Sequence, residues 1–600
     1  MFQSFDASTT PEQGPPRLAA LRERLKSVNL DGFLIPRADA HQGEYVAPRD
    51  NRLAYLTGFT GSAGFCAALV DIAGVFVDGR YRVQVKEQVA PCFTPVDWPE
   101  TSLSGWLKTH LSSGNVGFDP WLHTVQQLEQ LERDLATSDI ALVPTENTVD
   151  HIWVDQPAPP MAQAQAYPIE YAGDSHSDKR QRLAKMLRDA GQTAAVITLP
   201  DSIAWLLNIR GADIARNPVA HGFAILHSDA RVDLFMAAPK LTNILDHLGP
   251  DIGIHAPETL LTRLAGLDGP QATVRLDKSS VPMAIASALR TAKIKICYAD
   301  DPCVLPKACK NPTEIAGTTQ AHLRDAAAMC EFLTWFDANV DQGLTEIDVV
   351  QALEAKRRDT GALLEISFDT IAGSGPNGAL PHYRVTHGSN RTLKPGELLV
   401  LDSGGQYIDG TTDITRTLPI GAVAQDEREA FTRVLQGVIA ISQLRWPVGL
   451  AGRDLEAVGR IALWQAGQDF DHGLGHGVGT YLCVHEGPQR LSRASHVPLK
   501  SGMILSNEPG YYREGAFGIR IENLIVVEQA PKLPTADARA MLQFRTLTWV
   551  PINTRLIVTE MLTNAEKSWL NTYHATCRDV IGAQLSKAAN LWLNKATAPV

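Results

Sequence analysis

Two stretches in the C-terminal half each place a pair of carboxylates on what reads as a β-hairpin, and no compact fold is possible until that charge is neutralised. Gly396 to Leu418, GELLVLDSGGQYIDGTTDITRTL, reads as a hydrophobic strand, a turn at Asp409-Gly410 and a β-branched return strand. Asp402 lies on one arm and Asp413 on the other. In NEPGYYREGAFGIRIEN, Glu508 and Glu522 are symmetric about Gly515, so a hairpin turning there sets them opposite each other, on one face with Arg520. The first pair is harder to unite. A regular hairpin about Asp409-Gly410 opposes Asp413 to Gln406 and leaves Asp402 about 13 Å away along the strand. A bend or bulge at Gly404-Gly405, where glycine tolerates unusual dihedrals, is therefore expected.

Four crowded carboxylates repel and take up protons unless cations lie between them, and two divalent ions cancel their charge. His476 in GLGHGVG, with glycine on both sides, can present an imidazole to such ions. One nitrogen among four carboxylates suits Mn²⁺, Co²⁺ or Zn²⁺ better than calcium. Three further histidines, His382 in ALPHYR, His472 and His485 in VHEGP, are candidates for substrate-binding or supporting roles.

The rest of the chain narrows the setting. Its 600 residues, 44% hydrophobic, supply several cores, since single cores rarely grow beyond about 300 residues. A net charge of −11 with no basic, aromatic-interleaved block argues against nucleic acid. The N-terminus lacks a basic start followed by an apolar run, and no apolar stretch is long enough to span a bilayer, so a cytoplasmic protein with no membrane association is the expectation. Eight dispersed cysteines without a CxxC pair read as reduced, mostly buried thiols, and Cys483 as a small buried hydrophobe. Arg17 to Leu30 reads as an amphipathic helix leading into the strand Gly-Phe-Leu-Ile-Pro, and from Arg182 the segments RLAKMLRDAG, AAVITLP and DSIAWLLNIRG follow in the same order as that helix, that strand and NRLAYLTGFTG. Two related α/β domains follow, joined by the proline-rich segment Gln156 to Pro168. Thr345 to Asp348 offers a capping-box helix start. Near the end, Trp569, Leu570, Tyr573, Cys577, Val580 and Ile581 make an apolar helix face that covers either the core or a subunit interface.

The residues DSGGQYIDGTTDITRT, GLGHGVGTYLCVHEGP, NEPGYY and GIRIEN together resemble the pita-bread metallopeptidases of family M24, and among them the three-domain cytosolic Xaa-Pro aminopeptidases (aminopeptidase P type). DAHQGEYVAPRDNRLAYLTGFTGSAG, DGRYRVQ, KACKNPTEIAG and LTWVPINT extend the likeness to nearly the whole chain. The resemblance implies an α/β (α+β) protein: creatinase-like α/β domains over 1–157 and 158–305, a pita-bread catalytic domain over 306–540 and a C-terminal extension over 541–600. It implies two divalent ions, Mn²⁺ foremost with Zn²⁺ or Co²⁺ as alternatives. Asp402 would hold one ion, His476 and Glu508 the other, and Asp413 and Glu522 both, with a bridging hydroxide as nucleophile. Glu508 would shuttle the proton, His382 and His485 would bind substrate and intermediate, and His472 and Arg520 would support them. The implied substrates are peptides with proline at position 2, and the implied assembly is a homodimer.

Taken singly, each acid reads as a turn or surface residue, and each of His382, His472 and His485 reads equally well as a core or loop histidine. Two rival functions stand beside the aminopeptidase: a prolidase with the same ligand set, and a non-catalytic module on the same scaffold, which five intact ligand positions oppose.

Overall fold

The structure is a computed structural model describing residues 1–267 and 272–600, and it divides into two compact units: Ser8–Val304, and Leu305–Val600 together with Met1–Ala7. In the first unit the opening helix spans Gly14–Ser27, burying Leu18, Leu21 and Leu25, and feeds the buried strand Gly32–Pro36. That strand pairs antiparallel with Phe65–Leu69 and parallel with Ser113–Phe118 inside a six-stranded sheet. The repeat reproduces this topology: Ala194–Ile197 pairs antiparallel with Phe223–His227 and parallel with Thr273–Leu276 in a second six-stranded sheet. One hydrophobic cluster runs through both, joining Phe76, Val116 and Leu128 to Ile225, Val274 and Ile285. The proline-rich connection is extended, but its end is sewn down: Gln165–Ala166 pairs with Ile209–Arg210, and Ala164 and Tyr167 are buried.

In the second unit, Asn311 caps the long helix Pro312–Asn339, and Thr345 caps Glu346–Asp359 through the reciprocal bonds expected of a capping box, 3.2 Å and 2.8 Å. With helices Gln425–Ser442 and Gly452–Trp464 they pack on short antiparallel ladders. A three-stranded sheet orders Ile371–Ser374, Leu398–Ser403 and Ile414–Pro419, and a six-stranded one contains Gly475–Gly477, Ile504–Asn507 and Asn523–Gln529. The helix Asn564–Ile581, followed by the shorter helix Lys587–Ala596, buries Leu570, Tyr573, Cys577 and Ile581 in this same core, so its apolar face is used within the chain. At about 1.5–3 kcal/mol per fully buried large side chain, that face is a substantial share of the unit's stability. Among the described residues no helix is long and apolar enough to cross a membrane.

Candidate metal centre

The first acidic hairpin turns one residue earlier than the Asp409-Gly410 reading. Tyr407 pairs with Gly410, making Ile408-Asp409 the loop, and the same register continues through Asp402 opposite Thr415. This places Gly404 opposite Asp413, so Asp402 and Asp413 are diagonal neighbours on one face, a separation of about 7–8 Å at the backbone instead of 13 Å. The ladder is interrupted at Gly404, between the strands Leu398–Ser403 and Gly405–Tyr407. A side chain at Gly404 would meet the Thr412 carbonyl at 2.0 Å and Ser367 Oγ at 2.1 Å, so the interruption requires glycine for space.

The second hairpin keeps the register read about Gly515: Tyr511 pairs with Ile519, and Asn507 with Asn523. Glu508 and Glu522 occupy the gap between these two paired segments. Their amides turn outward, Glu508 N to Leu474 O at 2.9 Å and Glu522 N to Thr415 O at 3.1 Å. The second of these stitches one hairpin to the other. His476 sits on Gly475–Gly477, next to a register shift. Its flanking glycines serve packing between strands: added Cβ atoms would meet Ser506 O at 2.0 Å and Glu486 O at 2.3 Å.

His476 Nε2 lies 3.5 Å from Asp413 Oδ2 and 3.4 Å from Glu508 Oε1, while Nδ1 faces the Gly477 carbonyl at 2.9 Å. Donation from Nδ1–H to that carbonyl leaves the Nε2 lone pair directed at the carboxylates, the tautomer of a metal ligand. Single donor atoms of Asp413, His476 and Glu522 lie within 4.8 Å of one another. Burial, reinforced by Asp402 and Glu508, pushes the Asp413 carboxyl far above its usual range. Burial with Asp413, Glu508 and Asp402 does the same to Glu522, and burial raises Glu508. Asp402 Oδ1, Asp413 Oδ1 and Glu522 Oε1 are buried without a hydrogen-bond partner. Orphaned carboxylate oxygens beside a lone-pair nitrogen fit divalent cations and fit a proton-only network poorly.

Comparison with known proteins agrees with this donor set. Residues 316–529 match metallopeptidase family M24, residues 17–152 and 155–314 each match the creatinase/prolidase N-terminal domain, and residues 540–600 match the C-terminal region of peptidase M24. The chain is 38% identical to aminopeptidase P2 of Arabidopsis thaliana, over 96% of this chain and 86% of that one. The chain belongs to metallopeptidase family M24. A probable Xaa-Pro aminopeptidase P of Coccidioides posadasii (strain C735) is 36% identical over 99% of this chain and 95% of its own. The crystal structure of X-prolyl aminopeptidase from Caenorhabditis elegans, described as a cytosolic enzyme with a di-nuclear active site, superposes with a TM-score of 0.93 at 31% identity, covering 98% and 99% of the two chains. The fold of this M24 chain is thus two creatinase-type α/β domains followed by a pita-bread domain.

Around the cage, Arg520 Nη2 donates to Asp402 Oδ2 at 2.6 Å and Nε to Thr415 Oγ1 at 3.2 Å. Thr415 Oγ1 donates in turn to Glu522 Oε2 at 2.7 Å. Tyr512 hydroxyl, its pKa raised to about 12 chiefly by burial, joins Arg520 Nη1 to His472 Nε2. His472 therefore reaches the site through Tyr512 and Arg520. The His485 ring meets the His476 ring edge to face at 4.4 Å. His382 follows Pro381, whose carbonyl accepts from Arg520 Nη2 at 3.2 Å, so its backbone borders the cage. Cys483 is half-buried, not fully buried as expected, although its neighbours Leu482 and Val484 are buried; its carbonyl accepts from Gly479 N at 3.0 Å. Thr415, Ser506, Tyr512 and Arg416 escape a reading of motifs. Thr415 emerges only once the register is right, and Ser506 as the position two before Glu508, whose carboxylate it bonds at 3.0 Å.

Proposed function

We propose that this chain is an Xaa-Pro aminopeptidase, removing the N-terminal residue from peptides whose second residue is proline. The observation that carries the reading is the grouping of donor atoms of Asp413, His476 and Glu522 within 4.8 Å of one another, with buried unpartnered oxygens on Asp402, Asp413 and Glu522, in a chain whose full-length relatives are named for that activity. Asp402 would hold one divalent ion, His476 and Glu508 the second, and Asp413 and Glu522 both, with Mn²⁺ the first candidate. When bound, such a pair supplies an activated water near neutral pH and polarises the scissile carbonyl.

The chain's own residues do the rest. Arg520 anchors Asp402 Oδ2, and Thr415 fixes Glu522 Oε2, which leaves the other oxygen of each carboxylate as the one that would hold an ion. Glu508, its carboxyl raised by burial, can carry a proton toward the leaving imide nitrogen. His382 and His485 would hydrogen-bond the substrate and the tetrahedral oxyanion. A dedicated enzyme is sensible for this bond, since the prolyl imide lacks the N–H that many peptidases grip. A homodimer in the cytoplasm is the expected setting.

The test is chelation followed by separate addition of Mn²⁺, Co²⁺ and Zn²⁺, with assay on Xaa-Pro-Xaa and Xaa-Ala-Xaa tripeptides and Xaa-Pro dipeptides. Metal-dependent release of the first residue from the prolyl tripeptide is the expected result. Cleavage confined to the dipeptide makes the chain a prolidase, and absence of metal-dependent cleavage refutes the peptidase reading.

A further inference from the structure

A second charged cluster lies one residue beyond His485. Glu486 is fully buried, and both its oxygens are taken by buried lysines: Lys307 Nζ reaches Oε2 at 2.8 Å, and Lys310 Nζ bonds Oε1. Their side chains are 0–2% exposed. Two ammonium groups on one carboxylate out of contact with water is a costly arrangement.

The geometry connects three parts of the site. Glu486 opens the strand Glu486–Leu491 and pairs with Gly477, whose carbonyl sets the tautomer of His476. His485 is the bend residue directly before Glu486, and its ring packs edge to face on that of His476 at 4.4 Å, so the clamp on Glu486 fixes the backbone that carries it. Lys310 is itself fixed. Lys310 N donates to Gly502 O at 3.0 Å, and Cys309 bridges Met503, immediately before the strand Ile504–Asn507 that leads to Glu508. An added side chain at Gly502 would strike the Lys310 carbonyl at 2.5 Å, so this staple is tight.

We infer that Glu486, clamped by Lys307 and Lys310, is a positioning residue that sets His485 and the His476 backbone relative to the Glu508 strand. Its kinetic consequence rests on the Xaa-Pro aminopeptidase reading, while its structural consequence does not. Glu486→Gln keeps the shape and leaves two buried ammonium groups facing a neutral amide, so the clamp opens with little change in volume.

The experiment uses the full-length protein, loaded with diamagnetic Zn²⁺ for resonances of ¹³C-labelled histidine and with Mn²⁺ for metal content and kinetics, the His485 resonance being assigned by its loss in His485→Ala. In Glu486→Gln, bound Mn²⁺ per chain is expected to match wild type, the His485 resonance to move, and kcat on a prolyl tripeptide to fall about tenfold or more with KM within about threefold. A folded, metal-loaded variant with an unmoved His485 resonance overturns the inference, as does a kcat within about twofold of wild type or a loss of activity accounted for by lost Mn²⁺. A moved resonance in a protein whose wild type leaves prolyl peptides intact retains the clamp and removes the proposed function instead. If Glu486→Gln does not fold, Lys310→Gln is read by the same criteria.

Discussion

Replacing Thr415 by valine removes one hydroxyl from the edge of the carboxylate cage and preserves the side chain's shape. Thr415 is fully buried, and its Oγ1 donates to Glu522 Oε2 at 2.7 Å while accepting from Arg520 Nε at 3.2 Å. A hydrogen bond to a charged group contributes about 1.5–3 kcal/mol, and in valine neither partner has a replacement in the structure. Glu522 then loses the contact that directs its other oxygen, Oε1, at the metal space. Removing a contact that orients a ligand typically lowers metal affinity or activity about 10–100-fold, equivalent to about 1.4–2.8 kcal/mol, which agrees with the hydrogen-bond figure. The assay is calorimetric titration of the chelator-stripped protein with Mn²⁺, followed by kcat at saturating metal. Thr415→Ser, which keeps the hydroxyl, should recover most of the affinity. Wild-type affinity and kcat in Thr415→Val would refute the argument, as would a serine variant no better than valine.

Arg416 points away from the cage and is buried among neutral acceptors, including the carbonyls of Thr415, Glu522, Val550 and Pro551 and the Tyr573 hydroxyl. Arg416→Met leaves several buried carbonyls unpaired, and a loss of at least about 3 kcal/mol is expected, read as a fall in thermal midpoint. Gly404→Ala should abolish metal binding or expression, because its methyl group would lie 2.0 Å from the Thr412 carbonyl; soluble, metal-saturated protein would contradict this. The raised carboxyls of Asp413, Glu508 and Glu522 make a prediction for the metal-free protein. Their folded pKa values exceed the unfolded ones, so their contribution is present at acid pH and lost as pH rises through the folded values. The gap in thermal midpoint between Mn²⁺-loaded and chelated protein should therefore widen as pH rises, and a constant gap would show that these groups do not titrate with the metal.

How far the sequence discloses the site differs between the two hairpins. The symmetry of Glu508 and Glu522 about Gly515 gives the correct register, because Gly515, at φ +72°, is a turn glycine in the ordinary sense. The Asp409-Gly410 turn is misplaced by one residue for the opposite reason. Gly410 has no positive φ, and a side chain there would press on Thr318 Cα at 2.9 Å and Ala321 Cβ at 3.0 Å, so it is glycine to admit the helix Pro312–Asn339. A dipeptide reads the same in either role, and only the tertiary neighbour distinguishes them. The helix starting after Thr345 was legible, because its capping box is local in sequence. Thr415, Tyr512 and the Lys307–Glu486–Lys310 cluster were not, since each acquires its meaning from residues distant in sequence.

The outward-turned amides of Glu508 and Glu522 bear on the order in which the molecule acquires its properties. Either hairpin can zip locally from its own turn, but the link from Glu522 N to Thr415 O and the link from Glu508 N to Leu474 O span long stretches of chain and form only once separate ladders have met. Such contacts carry the loop-closure cost of non-local pairing and come late in folding. Tight metal binding is therefore a property of the assembled domain, and a fragment carrying one complete hairpin has two of the acids without the geometry that makes them a site.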